Sequence, residues 1–501
     1  MKIKLLSLTL IVFSLSCLYA QQTAIPDSNF EQALIDLGID SDGTINGVVL
    51  TSDINTVTNL DVSNQSIQNL TGIEDFTALT ELILDNNSYS FADLDLTGNP
   101  ALTYLSSRTN QIDNINLSNN ALLTYLDLNE NELTNLDLSN NPLLTYLDLT
   151  LNDLISIDLT NNQDLTFLSL STNELTSVDL SNNIALTELN LSNNDLVSLD
   201  LSSNTALVNL FVFGCLLTDL DVSNNTALEI LGATDNELTS INLTGLDQLL
   251  SLGLIQNNLA TIDLSTNIAL RSLQIAENQF QTIDLSNNTA LLTISANDNF
   301  LTTVDLSTNT ELTLINFIRN QLTSLDVTNN INLQNLNVPA NQLTSLDVSN
   351  NPDLLVLNVL ENQLTSLNVQ NGNNVNITGD FFLALNNPDL DCIQVDDVAY
   401  STANWTFVDP GVVFSLDCPN LSIEDREKES FRLYPNPAKN QFTVQLTNPS
   451  DLQGVKIYNN LGQLVMTSKD IIVDISKLTS GLYMVEVGTT KGKGIKKLII
   501  D

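Results

Sequence analysis

The chain has 501 residues, of which 59 are Asp or Glu, 16 are Lys or Arg and none is His. The absence of histidine removes the commonest general base and the commonest metal ligand. The net charge of −43 excludes nucleic acid as a partner, because that affinity comes from Lys and Arg displacing counterions from phosphates.

The N-terminus has the three-part layout of a secretory signal peptide. Two lysines precede an apolar run over residues 5–15, and cleavage is expected after Ala20. The alternative is a lipid anchor on Cys17, but Ser14 stands where such sites usually have Leu. No other segment approaches the ~20 apolar residues of a membrane helix. The sequence therefore predicts export of the chain without residues 1–20, no membrane span, and a secreted or outer-membrane surface location.

Residues 21–56 are predicted to form an N-terminal cap. Residues 26–37 place Phe30, Ala33, Leu34 and Leu37 at helical spacing, and the residue before the helix is a good N-cap, Asp27 or Ser28. A short capping helix is therefore expected.

The segment after this helix, IDSDGTI at residues 39–45, invites comparison with a calcium-binding loop. When the EF-hand pattern is aligned on Gly43, its first ligand position falls on Gly38 and its last on Val49, so two ligands are missing. A plain turn is favoured over a calcium loop from the sequence alone.

The central part of the chain, residues 57–385, is dominated by one repeat. From Leu102 to about Asn371 the sequence repeats every 21 residues as LxxLxLxxNx followed by LxxLDLSNNxx. The pattern resembles the leucine-rich-repeat family, and the longer spacing at residues 57–87 resembles internalin-like repeats. In LxL the two Leu side chains share one face of a strand, which a single rung cannot bury, so rungs must stack.

Each 21-residue rung has two similar halves, so the predicted fold is a flattened, mainly β solenoid with two facing parallel sheets. Each half ends in an Asn whose amide is expected to turn inward and satisfy backbone groups at the bend. The first Asn column is interrupted only by Cys215, and the second only by Leu246. A small buried substitute is favoured for Cys215 over a reactive thiol.

Outward positions on the first sheet vary from rung to rung, whereas those on the second barely change. The variable positions are the candidates for partner binding: Tyr104, Tyr125, Tyr146, Phe167, Phe211 and Phe213. Exposed aromatic side chains on a rigid face suit binding to a protein or stacking against sugar rings. The alternative is that aromatic residues in one column pair across strands and only stabilise the sheet.

The constant face carries a column of carboxylates at 21-residue spacing. Its members are Asp137, Asp158, Asp179, Asp200, Asp221, Asp263, Asp284, Asp305, Asp326 and Asp347. One hypothesis is weak binding of divalent cations, most plausibly calcium, which would stiffen the solenoid. The favoured alternative is a solvated acidic face that keeps the protein soluble. No cofactor is otherwise predicted.

Residues 386–418 break the repeat and resemble the C-terminal cap of bacterial surface proteins of this repeat type. That resemblance implies a disulfide between Cys392 and Cys418 and assigns Trp405 to the core. Residues 419–430 have the composition of a linker.

Residues 431–501 differ in composition from the body. Residues 21–421 contain three Arg and no Lys, whereas residues 422–501 contain eleven Lys or Arg. The motifs LYPNPAKN, VKIYNNLGQLV, VDISKLTSGLYMVEV and KGKGIKKLIID resemble the C-terminal sorting domain of type IX secretion in Bacteroidetes. The resemblance implies recognition by the type IX machinery, and the alternation of residues predicts a small β-sandwich of four strands.

The sequence has no nucleophile elbow, phosphate loop or zinc motif, and it predicts that the protein is not an enzyme. Two functions of different classes remain. The first is an exported recognition or adhesion protein that binds a protein or glycan through the variable sheet. The second is a structural cell-surface component whose acidic column binds cations.

Overall fold

A computed structural model describes residues 21–87, 94–418, 431–446, 452–459, 463–489 and 492–501. The predicted signal peptide, residues 1–20, and the predicted linker, residues 419–430, lie outside the described residues. The chain divides into two compact units, with the boundary after Leu416.

The N-terminal cap contains a helix, α1, at Ser28–Asp36. Asp27 is its N-cap, and Oδ1 of Asp27 accepts the N–H groups of Asn29 and Phe30 at 2.8 and 3.1 Å. The sequence did not predict an antiparallel strand pair, Gln22–Ala24 with Val48–Leu50, or a one-turn helix, α2, at Thr51–Ile54. Together these elements close the first end of the solenoid core.

The solenoid is held together by one long sheet, called here the first sheet, in which each strand is parallel to and in register with the previous one. Its strands are Asn59–Asp61, Glu81–Ile83, Tyr104–Ser106, Tyr125–Asp127, Tyr146–Asp148, Phe167–Ser169, Glu188–Asn190, Asn209–Phe211, Ile230–Gly232, Ser251–Gly253, Ser272–Gln274, Thr293–Ser295, Leu314–Asn316, Asn335–Asn337, Val356–Asn358, Phe382–Ala384 and Phe407–Val408. The middle residue of each full rung is a buried Leu or Ile. The predicted mainly β solenoid with 21-residue rungs is confirmed.

The opposite side of the rungs is called here the second side. Within the described residues, it forms regular sheet only near the two ends of the solenoid. The strands there are Leu94–Asp95, Ile115–Asn116, Ser345–Asp347, Ser366–Val369, Cys392–Val395 and Val413–Ser415. The expected continuous second sheet is therefore replaced by irregular backbone over the central rungs. Side-chain bonds hold this irregular backbone: Oδ1 of Asp137 accepts the N–H of Ser139, and Nδ2 of Asn141 donates to the carbonyls of Leu117 and Asn120.

Buried Asn side chains join successive rungs on both sides. In the first column, Nδ2 of Asn194 donates to the carbonyls of Leu170 and Leu191, both at 2.9 Å, and Oδ1 accepts the N–H of Leu175 at 3.0 Å. The residue before Asn194, Asn193, has φ +55°, and the same left-handed bend recurs along this column. The bend turns each Asn toward the core, where its amide replaces backbone partners.

Short 3₁₀ helices lie at Ile73–Asp75, Asn374–Asn376 and Gly379–Phe381, and a third α-helix, α3, spans Val398–Asn404. Trp405 follows α3 and is 1% exposed. Its ring stacks on Phe382 at 3.9 Å between centroids, and Nε1 donates to the carbonyl of Ile377 at 2.8 Å. Trp405 therefore belongs to the core, as the sequence predicts. The predicted disulfide between Cys392 and Cys418 is present.

The C-terminal unit contains two antiparallel sheets. One comprises Phe431–Tyr434, Gln441–Leu446 and Ile472–Asp474, and the other comprises Leu464–Ser468, Leu452–Tyr458, Gly481–Thr489 and Gly492–Ile500. The described part of this unit thus has seven strands, where the sequence predicted four. Their inward residues, including Phe442, Ile457 and Val485, form a separate core.

Candidate functional site

The leading outward positions of the first sheet bring four aromatic rings together. Tyr104, Tyr125, Tyr146 and Phe167 are register partners in adjacent strands, and they are called here the aromatic column. Their ring centroids are 4.1, 4.2 and 4.2 Å apart, with interplanar angles of 9°, 9° and 5°. The rings therefore stack face to face along the solenoid.

This stacking decides what the aromatic column offers to a ligand. Both faces of the Tyr125 and Tyr146 rings are covered by neighbouring rings, so these residues present their edges and hydroxyl groups. Aromatic edges carry partial positive charge and favour oxygen atoms, whereas a sugar ring stacks on an aromatic face. Burial raises the pKa of both phenols above the ordinary value, so they remain neutral hydrogen-bonding groups.

A charged cluster lies beside the aromatic column, at the C-terminal ends of the strands or two residues beyond them. Arg108 donates to Oδ2 of Asp85 from Nε and Nη2 at 2.9 and 2.8 Å. Nε of Arg108 also lies 3.7 Å from Oδ2 of Asp127, and the Tyr125 hydroxyl donates to the same oxygen at 3.4 Å. Asp148 is the register partner of Asp127 in the next strand. Two carboxylates, Asp85 and Asp127, thus share one guanidinium, and Asp148 beside them makes the cluster net acidic.

Asp127 is 3% exposed, and burial raises the pKa of its carboxyl group to about 6, with Asp148 contributing further. The ordinary value is about 3.9. The folded state therefore carries an unfavourable charge above pH 6. Most of this cost disappears as the pH falls toward 4, where Asp127 is protonated in the folded state and about half-protonated in the unfolded state.

Asp127→Asn is expected to raise the melting temperature at pH 8 by a few degrees and to change it far less at pH 4. Two pKa units correspond to at most about 3 kcal/mol, and loss of the Arg108 contact reduces the gain. Asp137→Asn is the matched control, because hydrogen bonds from Ser139 lower the pKa of Asp137. That carboxylate stabilises the fold above the unfolded pKa, so the control variant should not gain at pH 8. If the difference in melting temperature between Asp127→Asn and the parent were the same at pH 8 and pH 4, the prediction would be wrong.

Phe211 and Phe213 lie further along the first sheet. Their centroids are 5.6 Å apart at 55°, and Phe213 is 37% exposed. The Phe213 ring lies over Gly232, where an added Cβ would be 2.2 Å from Cε1 of Phe213. Gly232 therefore provides the space in which this ring rests on the sheet, and the outer part of the ring remains exposed.

The acidic column lies on the second side, where each carboxylate accepts the N–H of the residue two positions further on, at 2.9 Å for Asp179. These bonds, together with bonds from the hydroxyl group of the same residue, lower the carboxyl pKa at nine positions: Asp137, Asp158, Asp179, Asp200, Asp221, Asp263, Asp284, Asp305 and Asp326. Within the part of the chain that the structure describes, no group of three or more Asp, Glu or Cys is placed to hold a metal ion.

Cys215 is buried and free, and its thiol contacts the carbonyls of Leu191 and Phe213. Burial raises the pKa of this thiol, which disfavours the reactive thiolate. Among the described residues, no helix is long and apolar enough to cross a membrane.

Sequence analysis did not identify the charged cluster. Asp85 lies in an early rung, outside the strict 21-residue repeat, so its proximity to Arg108 had no periodic signal. Asp127 and Asp148 occupy the same column as Ser106 and Ser169. Their place in this variable column was the only feature of the sequence that pointed to the cluster.

Comparison with known proteins identifies both parts of the chain. Residues 432–501 match the family described as "Secretion system C-terminal sorting domain". The functional domain of InlJ from Listeria monocytogenes is 25% identical, with a TM-score of 0.61 over 96% of this chain and 99% of that chain. The internalin InlF from the same organism is 20% identical, with a TM-score of 0.51 over 76% and 99%.

The fold also extends to plants. The peptide hormone receptor RGFR1, in complex with RGF2, is 19% identical to this chain, with a TM-score of 0.55 over 72% of this chain and 67% of that chain. The chain is therefore exported and has the fold of the internalin-like leucine-rich-repeat proteins. It carries an internalin-like solenoid and a type IX sorting domain, which directs it to the cell surface or the exterior.

One curated relative corrects the expectation about catalysis. Ulvan lyase NLR42 from Nonlabens ulvanivorans is 32% identical over 100 residues, which are 19% of this chain and 18% of the lyase. The prediction that the protein is not an enzyme is wrong in the light of this relative. The prediction depended on missing motifs, and carboxylates can act as acids and bases without a distinctive motif. The chain spans less than a fifth of the lyase's length.

Proposed function

We propose that this protein recognises a protein partner outside the cell through the outward face of the first sheet. The contact residues in this proposal are Tyr104, Tyr125, Tyr146, Phe167, Phe211 and Phe213, with the partly exposed Asp148 beside them. The observation that carries the proposal is the face-to-face stacking of the aromatic column, because it leaves edges and hydroxyl groups available.

A protein is favoured over a glycan as the partner. The covered ring faces of Tyr125 and Tyr146 cannot stack against sugars, whereas backbone carbonyls and carboxylates of a protein suit ring edges and phenol hydroxyls. The plant receptor with this fold is described in complex with RGF2, which supports peptide recognition by analogy of fold.

The experiment measures binding of the purified, fluorescently labelled protein to bacterial and algal cell surfaces and to a polysaccharide array. The test variant combines Tyr→Phe at 104, 125 and 146, which keeps the stack, with Phe213→Ser. Loss of affinity of roughly 30-fold or more is expected, as for hot-spot residues. Protease treatment of the target cells should abolish binding by the parent protein.

The matched control is Ile155→Ser with Val197→Ser, which removes exposed apolar side chains, 63% and 58% exposed, that lie outside the first sheet. This variant should bind like the parent. Binding to purified polysaccharide that the test variant loses would assign the surface to a glycan, against the proposal. If the test variant still bound the cells like the parent, the first sheet would not be the recognition surface.

A structural cell-surface component is the second candidate. The lowered pKa values along the acidic column keep those carboxylates charged well below neutral pH, and their second oxygens remain available to cations. This alternative expects calcium to promote self-association of the protein, with little dependence on the aromatic residues.

A further inference from the structure

Asp40 lies at the start of the loop between α1 and the second N-terminal strand, and it is buried without full hydrogen bonding. Only 5% of the residue is exposed. Oδ1 accepts the N–H of Asp42 at 3.2 Å, but Oδ2 has no hydrogen-bond partner. A buried carboxylate oxygen without a partner is costly unless a proton or a cation satisfies it.

The surroundings of Asp40 increase this cost. The carboxylates of Asp42, Glu31 and Asp53 all act on Asp40 by repulsion. Glu31 is itself 1% exposed, and its carboxylate accepts the N–H groups of Asn46 and Gly47. Residues 21–107 contain no Lys or Arg, so no cationic side chain from this part of the chain is available to balance the four acids.

The loop geometry supplies an oxygen-rich setting. Gly43 has φ +66°, which produces a tight turn around the alternating polar residues Asp40, Asp42, Thr44 and Asn46. Val49 lacks the carboxylate expected at the last ligand position. The structure brings Asp53 to the loop instead, where its Oδ2 accepts the N–H of Ser41 at 3.2 Å.

We propose that Oδ2 of Asp40 binds a divalent cation of the calcium class, with Asp42 and Asp53 as the neighbouring carboxylates. Hard oxygen ligands in a flexible loop suit calcium better than magnesium, which demands near-ideal octahedral geometry. No three acidic side chains within the described ranges already converge as a metal-binding group, so backbone and water oxygens must complete the shell. The affinity should therefore lie in the weak range of extracellular sites, about 10⁻⁴ to 10⁻³ M.

This cation would tie α1 to α2, because Asp40 follows the first helix and Asp53 belongs to the second. The N-terminal cap covers the first rung of the solenoid core, and repeat proteins need such covered ends. Calcium outside the cell would thus stiffen the cap, independently of partner binding by the first sheet.

The test uses the full protein with calcium chloride, compared with magnesium chloride and with sodium chloride at equal ionic strength. Calcium is expected to raise the melting temperature and to slow amide hydrogen exchange in residues 37–55. Asp40→Asn, which keeps the shape of the side chain, should weaken calcium affinity at least ten-fold by calorimetry. Asp53→Asn should weaken it as well.

Asp137→Asn is the control, because Asp137 belongs to the acidic column and makes the same type of local bond to the N–H two residues on. It should leave the calcium effect on residues 37–55 unchanged. Calcium protection that is uniform along the solenoid and survives in Asp40→Asn would overturn the proposal in favour of general binding to the acidic surface. If calcium did not change the melting temperature of the parent protein, and Asp40→Asn were more stable than the parent without calcium, Asp40 would hold a proton and not a cation.

Discussion

Asn194→Ala is expected to lower the free energy of unfolding by about 2 to 4 kcal/mol. The side chain bonds to two carbonyls and one N–H of the backbone. Alanine leaves the buried N–H of Leu175 unpaired, at about 1 to 3 kcal/mol. The two carbonyls lose one bond each but keep a partner, Nδ2 of Asn173 for Leu170 and the thiol of Cys215 for Leu191. Urea denaturation followed by circular dichroism measures the change. Hydrogen exchange should show the greatest loss of protection in the rungs around residues 170–196.

Asn183→Ala provides the matched comparison in the second column. Asn183 donates to the carbonyls of Leu159 and Asn162 at 3.1 and 2.8 Å, but its Oδ1 has no partner although it is buried. Alanine there removes two bonds and also one unsatisfied oxygen, so the expected loss is about half that of Asn194→Ala. Equal losses, or the reverse order, would show that the two columns do not differ in the way their bonds indicate.

Trp405→Ala is expected to cost about 4 kcal/mol and to unfold the C-terminal cap locally. The change removes the stack on Phe382 and the bond to Ile377, and removal of a buried Trp typically costs 3 to 5 kcal/mol. Hydrogen exchange of residues 382–415 together with urea denaturation measures the effect.

Trp405→Phe is the control for this prediction, because it keeps an aromatic ring beside Phe382 while it loses the Nε1–H donor. It should be clearly more stable than Trp405→Ala. If Trp405→Ala kept the parent stability but lost binding to cell surfaces, Trp405 would be a ligand contact and not part of the core.

The sequence predicts the solenoid because the repeat itself encodes the packing. Leu at fixed spacing can be buried only when rungs stack in register, and the observed register joins residues 21 positions apart, such as Leu168 with Leu189. The capping helix was also predictable, since Phe30 and Leu34 share one face and Asp27 precedes them. Both the solenoid and the capping helix follow from the spacing of residue types over short stretches of sequence.

The second side shows where the pattern was insufficient. Alternation at Leu136, Asp137 and Leu138 is compatible with a strand, but the backbone there is irregular, whereas the same alternation forms a strand at Ser345–Asp347. Likewise, Leu151 and Thr172 adopt left-handed backbone conformations, with φ +55° and +56°, which their residue types disfavour. The hydrogen bonds of the Asn that follows each of these residues hold the backbone in this conformation. The spacing of apolar residues in the sequence does not predict it.

The candidate site was only partly predictable. The aromatic column follows from period and strand alternation, but the way its rings stack depends on side-chain torsions. The cluster of Asp85, Arg108 and Asp127 depends on contacts between neighbouring rungs with no common motif. The unpaired oxygen of Asp40 is a property of three-dimensional packing, and the sequence alone favoured an ordinary turn there.

The Asn columns have a consequence for how this protein can evolve. Each Asn in the second column reaches back to the rung before it through equivalent positions, as Asn204 does to the carbonyl of Asn183. Recombination between repeats within the gene can therefore insert or delete whole rungs while every bond of the column is remade. The aromatic column and the Phe211–Phe213 pair would then move apart or together without chemical change, so a lineage can alter the spacing of its contact patches more readily than the patches themselves.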